Sequence, residues 1–182
     1  MKRTTEQIYD EWLVLRAQGG DKDALTELIR RWQQRMRKHV WRLTEGHNDA
    51  EDVMQDIWVV VVRKLSKLND PATFPQWLYR IATARCADWV RKRQRDHRLH
   101  KTVSENTSTA DMEDPSGSRR EVLRQAMRRL PTEKQIILSL FYIEGFSTGE
   151  IAAVLQVPVG TIKSRLYHAR ELLKTIIERS DP

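Results

Sequence analysis

The chain has 182 residues, enough for one large domain or two small ones, with 40% hydrophobic residues to build cores and 31% charged residues to keep the surface wet. Its net charge of +7 favours polyanionic partners, nucleic acid or an anionic membrane surface, without choosing between them. The single cysteine, Cys86, excludes an intramolecular disulfide and a cysteine zinc cluster, and the longest apolar run, residues 57–62, is far short of the roughly 18 residues of a membrane span.

The N-terminal stretch MKRTTEQIYDEW has no apolar core of signal-peptide length, so a cytoplasmic location is expected. Residues 7–17 suit a short helix with Ile8, Trp12 and Leu15 inward, stopped by Gly19 and Gly20. Asp21 is placed to cap the next helix, 22–43, in which Leu25, Leu28, Ile29, Trp32, Met36, Val40 and Leu43 recur at helical spacing until residues 46–48 break it. Residues 49–68 include four consecutive valines that favour a strand on propensity alone. An acidic start, a basic end and one broad apolar face (Val53, Met54, Ile57, Val60, Val61, Leu65) make the segment a helix instead. Asp49, Asp52, Gln55 and Asp56 share its opposite face. Such a patch on a basic protein repels phosphate and suits a basic protein partner; ordinary solvated helix charge is the competing reading.

Residues 69–75, NDPATFP, read as a loop. From Gln76 the chain is helical again, with Trp77, Leu78, Ile81, Cys86 and Trp89 on the apolar side and a basic run of Arg80, Arg85, Arg91, Lys92, Arg93, Arg95 and Arg98. Basic residues interleaved with aromatics can hold a nucleic-acid backbone and stack on unpaired bases. Aromatics at apolar helical spacing are more often core, which is the reading taken for Trp77 and Trp89. Residues 98–118 are acidic, poor in large apolar groups and rich in Ser, Thr, Asp, Asn and Gly, the composition of a flexible linker, so domains are expected at 1–97 and 119–182.

The second domain reads as four helices. Residues 119–130 turn Val122, Leu123, Ala126, Met127 and Leu130 inward and stop at Pro131. Thr132 with Gln135 has capping-box spacing, and Ile136, Ile137, Leu140 and Phe141 carry the following helix to Gly145. Ser147 with Glu150 repeats that spacing ahead of a two-turn helix carrying Ile151, Val154 and Leu155, which Pro158 cannot continue. The last helix restarts near Val159, with Ile162, Leu166, Ala169 and Leu173 on one side and Thr161, Lys163, Ser164, Tyr167, His168 and Arg170 on the other. Two short helices joined by a tight turn, the second basic, have the form of a helix-turn-helix DNA reader, and its outward donors suit phosphate oxygens and base edges in a major groove. A solvated helical hairpin is the alternative for the same residues. The expected fold class is all-α. The five histidines share no metal-ligand spacing with each other or with Cys86, and there is no glycine-rich phosphate loop or nucleophile elbow. No enzyme activity, cofactor, metal or small-molecule substrate is expected.

Taken in order, DAEDVMQDIW, FPQWLYRIATARCADWVRKRQR and, beyond the polar linker, LPTEKQIILSLFYIEGFSTGEIAAVLQVPVGTIKSRLYHARELL resemble the extracytoplasmic function sigma factors of bacterial RNA polymerase, a likeness that runs over residues 21–173. It implies a two-domain helical specificity subunit with no catalysis of its own, the first domain docking on polymerase and opening the minus 10 element, the second reading the minus 35 element. By that likeness Asp49, Asp52, Gln55 and Asp56 grip the beta-prime clamp. The loop with Asn69, Asp70, Thr73 and Phe74 captures a flipped non-template base, backed by Arg80, Ala84, Arg91, Lys92, Arg93 and Arg95. Lys163, Ser164, Tyr167 and His168 read the minus 35 groove, with Thr161, Arg165 and Arg170 on phosphates. The acidic linker follows the RNA-exit path. The partners implied are core RNA polymerase, through its beta-prime clamp and beta flap, promoter DNA and an external anti-sigma factor.

Three positions depart from the family pattern. Ala84 stands where Asn is frequent, which implies an altered minus 10 preference. Gln156 stands in the helix-turn-helix turn where Gly is common, at a cost of about 1 kcal/mol if the turn keeps its shape. His168 replaces the usual Arg and gives up a permanent charge and a bidentate fork for guanine. Two other functions compete with this reading: a stand-alone helix-turn-helix regulator, which binds promoters without polymerase and has no use for the Asp52 patch, and an RNA- or membrane-binding protein held by charge alone.

Overall fold

The computed structural model describes residues 3–99 and 117–179, so the expected linker lies outside the described residues except at its two ends. All regular elements among the described residues are helical, and they group into two compact units. The first is centred on α1 (Thr5–Gln18), α2 (Lys22–Leu43), α3 (Ala50–Lys64) and the first part of α4 (Phe74–Leu99). The second is centred on α5 (Gly117–Arg128), α6 (Thr132–Leu138), the first part of α7 (Thr148–Leu155) and α8 (Val159–Glu178).

In the first unit, α1 begins with a reciprocal cap between Thr4 and Gln7 and ends where Gly20 takes φ +93°. There the Asp21 amide reaches back to the Arg16 carbonyl at 3.1 Å, which closes the last turn. Asp21 then caps α2 by accepting from the amides of Asp23 and Ala24. The inward face of α1 is not the expected one. Leu13 and Val14 are buried, whereas Ile8, Trp12 and Leu15 are 54%, 45% and 57% exposed. Polar contacts set the rotation: Arg31 of α2 bonds Asp10 at 2.8 Å and also reaches Glu6, which turns the acidic side of α1 toward α2. Trp12 is left stacked on Tyr9 and under the Arg16 guanidinium.

The core of this unit is aromatic at its centre. Trp32 of α2 meets Phe74 and Tyr79 of α4 edge-on, and Tyr79 in turn meets the buried His39, whose Nε2 lies 3.3 Å from the Thr83 hydroxyl. Leu28, Met36, Val40, Ile57, Val61 and Leu78 fill the space around them. The valines of α3 stay helical because Val61 is needed in that core, while Val59 and Val62 remain exposed. The helix expected to reach residue 68 ends at Lys64 and passes into a 3-10 turn, Leu65–Lys67, and the loop expected at 69–75 holds a second, Pro71–Thr73. Accordingly α4 starts at Phe74, two residues early, since Pro75 fits a first helical turn, where an amide hydrogen has no partner to lose.

In the second unit, Ala126, Leu130, Ile136, Ile137, Leu140, Ile151, Ile162 and Leu166 are buried, while Leu123, expected inward, is 46% exposed. The cap expected at Thr132 does not form. Instead Gln135 is buried and donates to the Leu130 carbonyl at 2.9 Å, closing the end of the α5 segment. That orphan acceptor is buried, and satisfying it outweighs an exposed cap. Beyond α6 the chain widens into a π turn, Ser139–Ile143, that ends at Gly145 with φ +75°.

Candidate nucleic-acid interface

The expected cap of α7 is present in full: Ser147 and Glu150 exchange backbone and side-chain hydrogen bonds of 2.8 and 3.3 Å. The helix ends at Leu155, and Gln156 takes φ +55°, the left-handed conformation that favours glycine. With Gln156 so placed, the Val157 amide reaches the Ala152 carbonyl at 3.2 Å, the bond that closes a helix before a sharp change of direction. Pro158 then starts α8, in which Ile162, Leu166 and Ala169 are buried.

Burying that stripe turns the rest of α8 to solvent. Lys163, Ser164, Arg165, Tyr167, His168 and Arg170 are exposed and Thr161 is half-buried, so the predicted reader residues do occupy an open surface. They are not equivalent. Ser164 and Tyr167 lie opposite the buried stripe, Tyr167 being 57% exposed, with Lys163 and His168 on either side. Arg165 and Arg170 sit on the flanks, and Arg170 Nε points back to the Leu166 carbonyl at 3.4 Å. Sequence reading missed Gly160 and Glu171, which are exposed on the same outer face. Continuing the helical period one turn either way from Ser164 and Tyr167 would have found both.

On the first unit, Asp52, Gln55 and Asp56 are exposed along one side of α3. Asp49, at the head of the same row, already has internal partners: its Oδ2 accepts from Trp89 Nε1 at 3.3 Å and lies 3.3 Å from His47 Nδ1. Asn69, Asp70 and Thr73 are exposed after the first 3-10 turn and Arg80 is half-buried nearby on α4, but Phe74 is 0% exposed. Its ring belongs to the core against Trp32 and Trp77 and is closed to a base. Ala84, Arg91, Lys92, Arg93 and Arg95 are exposed farther along α4. Cys86, on the buried side of that helix, has its thiol pushed up to about 12 by burial, which keeps it a packing residue. No helix among the described residues is long and apolar enough to cross a membrane.

A helical fold with a capped helix-turn-helix and an open row of donors on its second helix has the form of a DNA-binding protein. Comparison with known proteins narrows this. Residues 28–96 match the family Sigma-70 region 2, and residues 120–173 match Sigma-70, region 4. The RNA polymerase sigma-H factor of Pseudomonas aeruginosa is 30% identical over 184 residues, 94% of this chain and 95% of that protein. The ECF RNA polymerase sigma-E factor of Haemophilus influenzae is 29% identical over 185 residues, 95% of this chain and 97% of that one. The fold is shared with the sigma factor RpoE of Bartonella quintana, solved with the anti-sigma factor NepR: TM-score 0.73, 23% identity, 87% of this chain and 98% of that one. The chain belongs to the extracytoplasmic function sigma factors, and its function is that of an alternative sigma factor of RNA polymerase.

Proposed function

We propose that this sigma factor acts in the cytoplasm, without catalysis of its own, by dividing promoter recognition between two surfaces. The exposed Asp52, Gln55 and Asp56 row of α3 docks on a basic element of core polymerase, the beta-prime clamp, and Asp49 joins it when its internal partners release it. Asn69, Asp70 and Thr73 capture an extruded base of the minus 10 non-template strand. Arg80 neutralises a phosphate beside it, and Arg91, Lys92, Arg93 and Arg95 contact phosphates of the same strand. In the second unit α8 enters the minus 35 major groove, with Lys163, Ser164, Tyr167 and His168 toward base edges and Thr161, Arg165 and Arg170 toward phosphates. The beta flap is the polymerase contact for this unit, and an external anti-sigma factor holds the chain inactive, as NepR is bound to RpoE in the solved relative.

The observation that carries this reading is the pairing of an acidic row on one unit with a donor-rich outward face on the other, within one basic chain. The two signs suit two partners, a basic protein and a polyanion. Reconstitution with core RNA polymerase on a promoter library, followed by mapping of transcript starts, tests it. Transcripts from a defined set of start sites, each preceded by two shared sequence elements, are expected; absence of any promoter-specific transcript overturns the proposal.

A further inference from the structure

Gln18 lies at the end of α1, outside every surface assigned above, and its side chain spans an unusual distance in the chain. Nε2 donates to the carbonyl of Leu65 at 2.9 Å and to that of Leu68 at 2.7 Å, 47 and 50 residues away. Both carbonyls belong to the turn that follows α3; that of Leu65 also accepts from the Leu68 amide at 3.0 Å, and the one Gln18 amide uses its two hydrogens to reach both. Leu68 then leaves in an extended conformation, with its side chain buried, and the next residue is Asn69.

The far end of the loop is fixed as well. The Asp70 carboxylate accepts from the Ala72 amide, the Thr73 hydroxyl donates to the Asp70 carbonyl at 2.7 Å, and Phe74 is sealed in the core. Residues 69–73 therefore hang between two anchors, Gln18 behind and Phe74 ahead. Their outward groups are set before any strand arrives.

We propose that Gln18 is a positioning residue for minus 10 recognition, holding the Asn69–Asp70–Thr73 surface in its capturing shape so that little ordering remains to be done on binding. It touches no base itself. The inference rests on the reading of residues 69–73 as the base-capturing loop, and one experiment separates the two. Holoenzyme is titrated with labelled single strands of the minus 10 region of a mapped promoter, intact or with an abasic residue at each position in turn. With the wild-type chain, one position should dominate, its abasic strand binding about tenfold weaker. Asn69→Ala should erase that penalty directly.

Gln18→Met keeps the bulk and removes both donors, and Gln18→Asn keeps an amide that falls short of the carbonyl pair. Each should shrink the abasic penalty severalfold while leaving core polymerase affinity and minus 35 duplex selection unchanged. Gln18→Lys, which can donate to both carbonyls, should restore it. An undiminished penalty in both Gln18→Met and Gln18→Asn overturns the inference, as does an equal weakening of intact and abasic strands, which marks a purely structural role. A wild-type chain with no dominant position, or Asn69→Ala with none of its penalty lost, overturns the base-capture reading and the inference together.

Discussion

Gln156 pays for a turn that glycine would make without strain. Its φ of +55° places Cβ against the neighbouring carbonyl, a cost on the order of 1 kcal/mol for a residue that is not glycine. Gln156→Gly should therefore raise the urea midpoint of the protein by an amount equivalent to about 1 kcal/mol, less the extra freedom glycine gains when unfolded. A lower midpoint would show that the glutamine side chain contributes more than the strain costs. Gly46 presents the opposite case. It sits at φ +72°, and a Cβ there would lie 2.9 Å from the Trp41 ring, so Gly46→Ala should destabilise the first unit by roughly 1–3 kcal/mol. The sequence position of Gln156 was legible as a departure from a family pattern. Only the backbone angle showed that the turn had kept its shape and left the side chain to bear the strain.

At the level of elements, regular spacing was a good guide to where helices lie and a poorer guide to which way they face. In α8 the stripe Ile162, Leu166 and Ala169 is buried as its period requires, since those residues are the apolar row of that helix. In α1 two sets compete, and the choice between Ile8, Trp12, Leu15 and Leu13, Val14 was made by Arg31 reaching across from α2, a contact that no local pattern contains. The same limit explains the caps. Thr132 with Gln135 and Ser147 with Glu150 have identical spacing, but only the second pair caps, because Gln135 is drawn to a buried carbonyl. The cap of α2 carries a pH signature. The amide of Ala24 first, then the charge of Arg16 and the amide of Asp23, outweigh desolvation and hold the Asp21 carboxyl below its usual range. A depressed folded value means stability that is present above the unfolded carboxylate pKa and is lost as pH falls through the folded one. Asp21→Asn keeps the capping oxygen but does not titrate, so the wild type's stability advantage over it should shrink on going from about pH 7 to about pH 2. Equal gaps at both ends would remove Asp21 from the acid response. On α3, Asp52→Ala with Asp56→Ala should weaken core polymerase binding without altering minus 35 selection, whereas Lys163→Ala on α8 should change the selected minus 35 sequence at unchanged core affinity. Competitive binding to core polymerase and sequencing of selected promoters read the two effects separately, and a crossed result would reassign both faces.

For the molecule as a whole, the proposed function makes affinity for a promoter a matter of tethering two modest binders. On that proposal each unit directs few side chains at bases, and its phosphate contacts weaken steeply with salt. Joined, the second contact becomes intramolecular, and the gain depends on how far the tether lets the units stray. The connecting residues 100–116 lie outside the described structure, but their sequence is polar and nearly free of large apolar groups, the composition of a flexible chain. Closing a flexible tether costs free energy that grows only with the logarithm of its length. Duplicating residues 100–116 should therefore lower holoenzyme affinity for a two-element promoter by only about threefold, following the −3/2 power of length, and leave affinity for a promoter with a single element unchanged. The acidic charge of the segment makes a second arm informative. If the segment follows the RNA-exit path of polymerase, duplication should increase abortive products while promoter affinity stays within the threefold limit. A loss of a hundredfold or more in two-element binding would mean that the segment is not a slack tether but fixes the distance between the units. The promoter spacing selected from a library would then shift along with linker length.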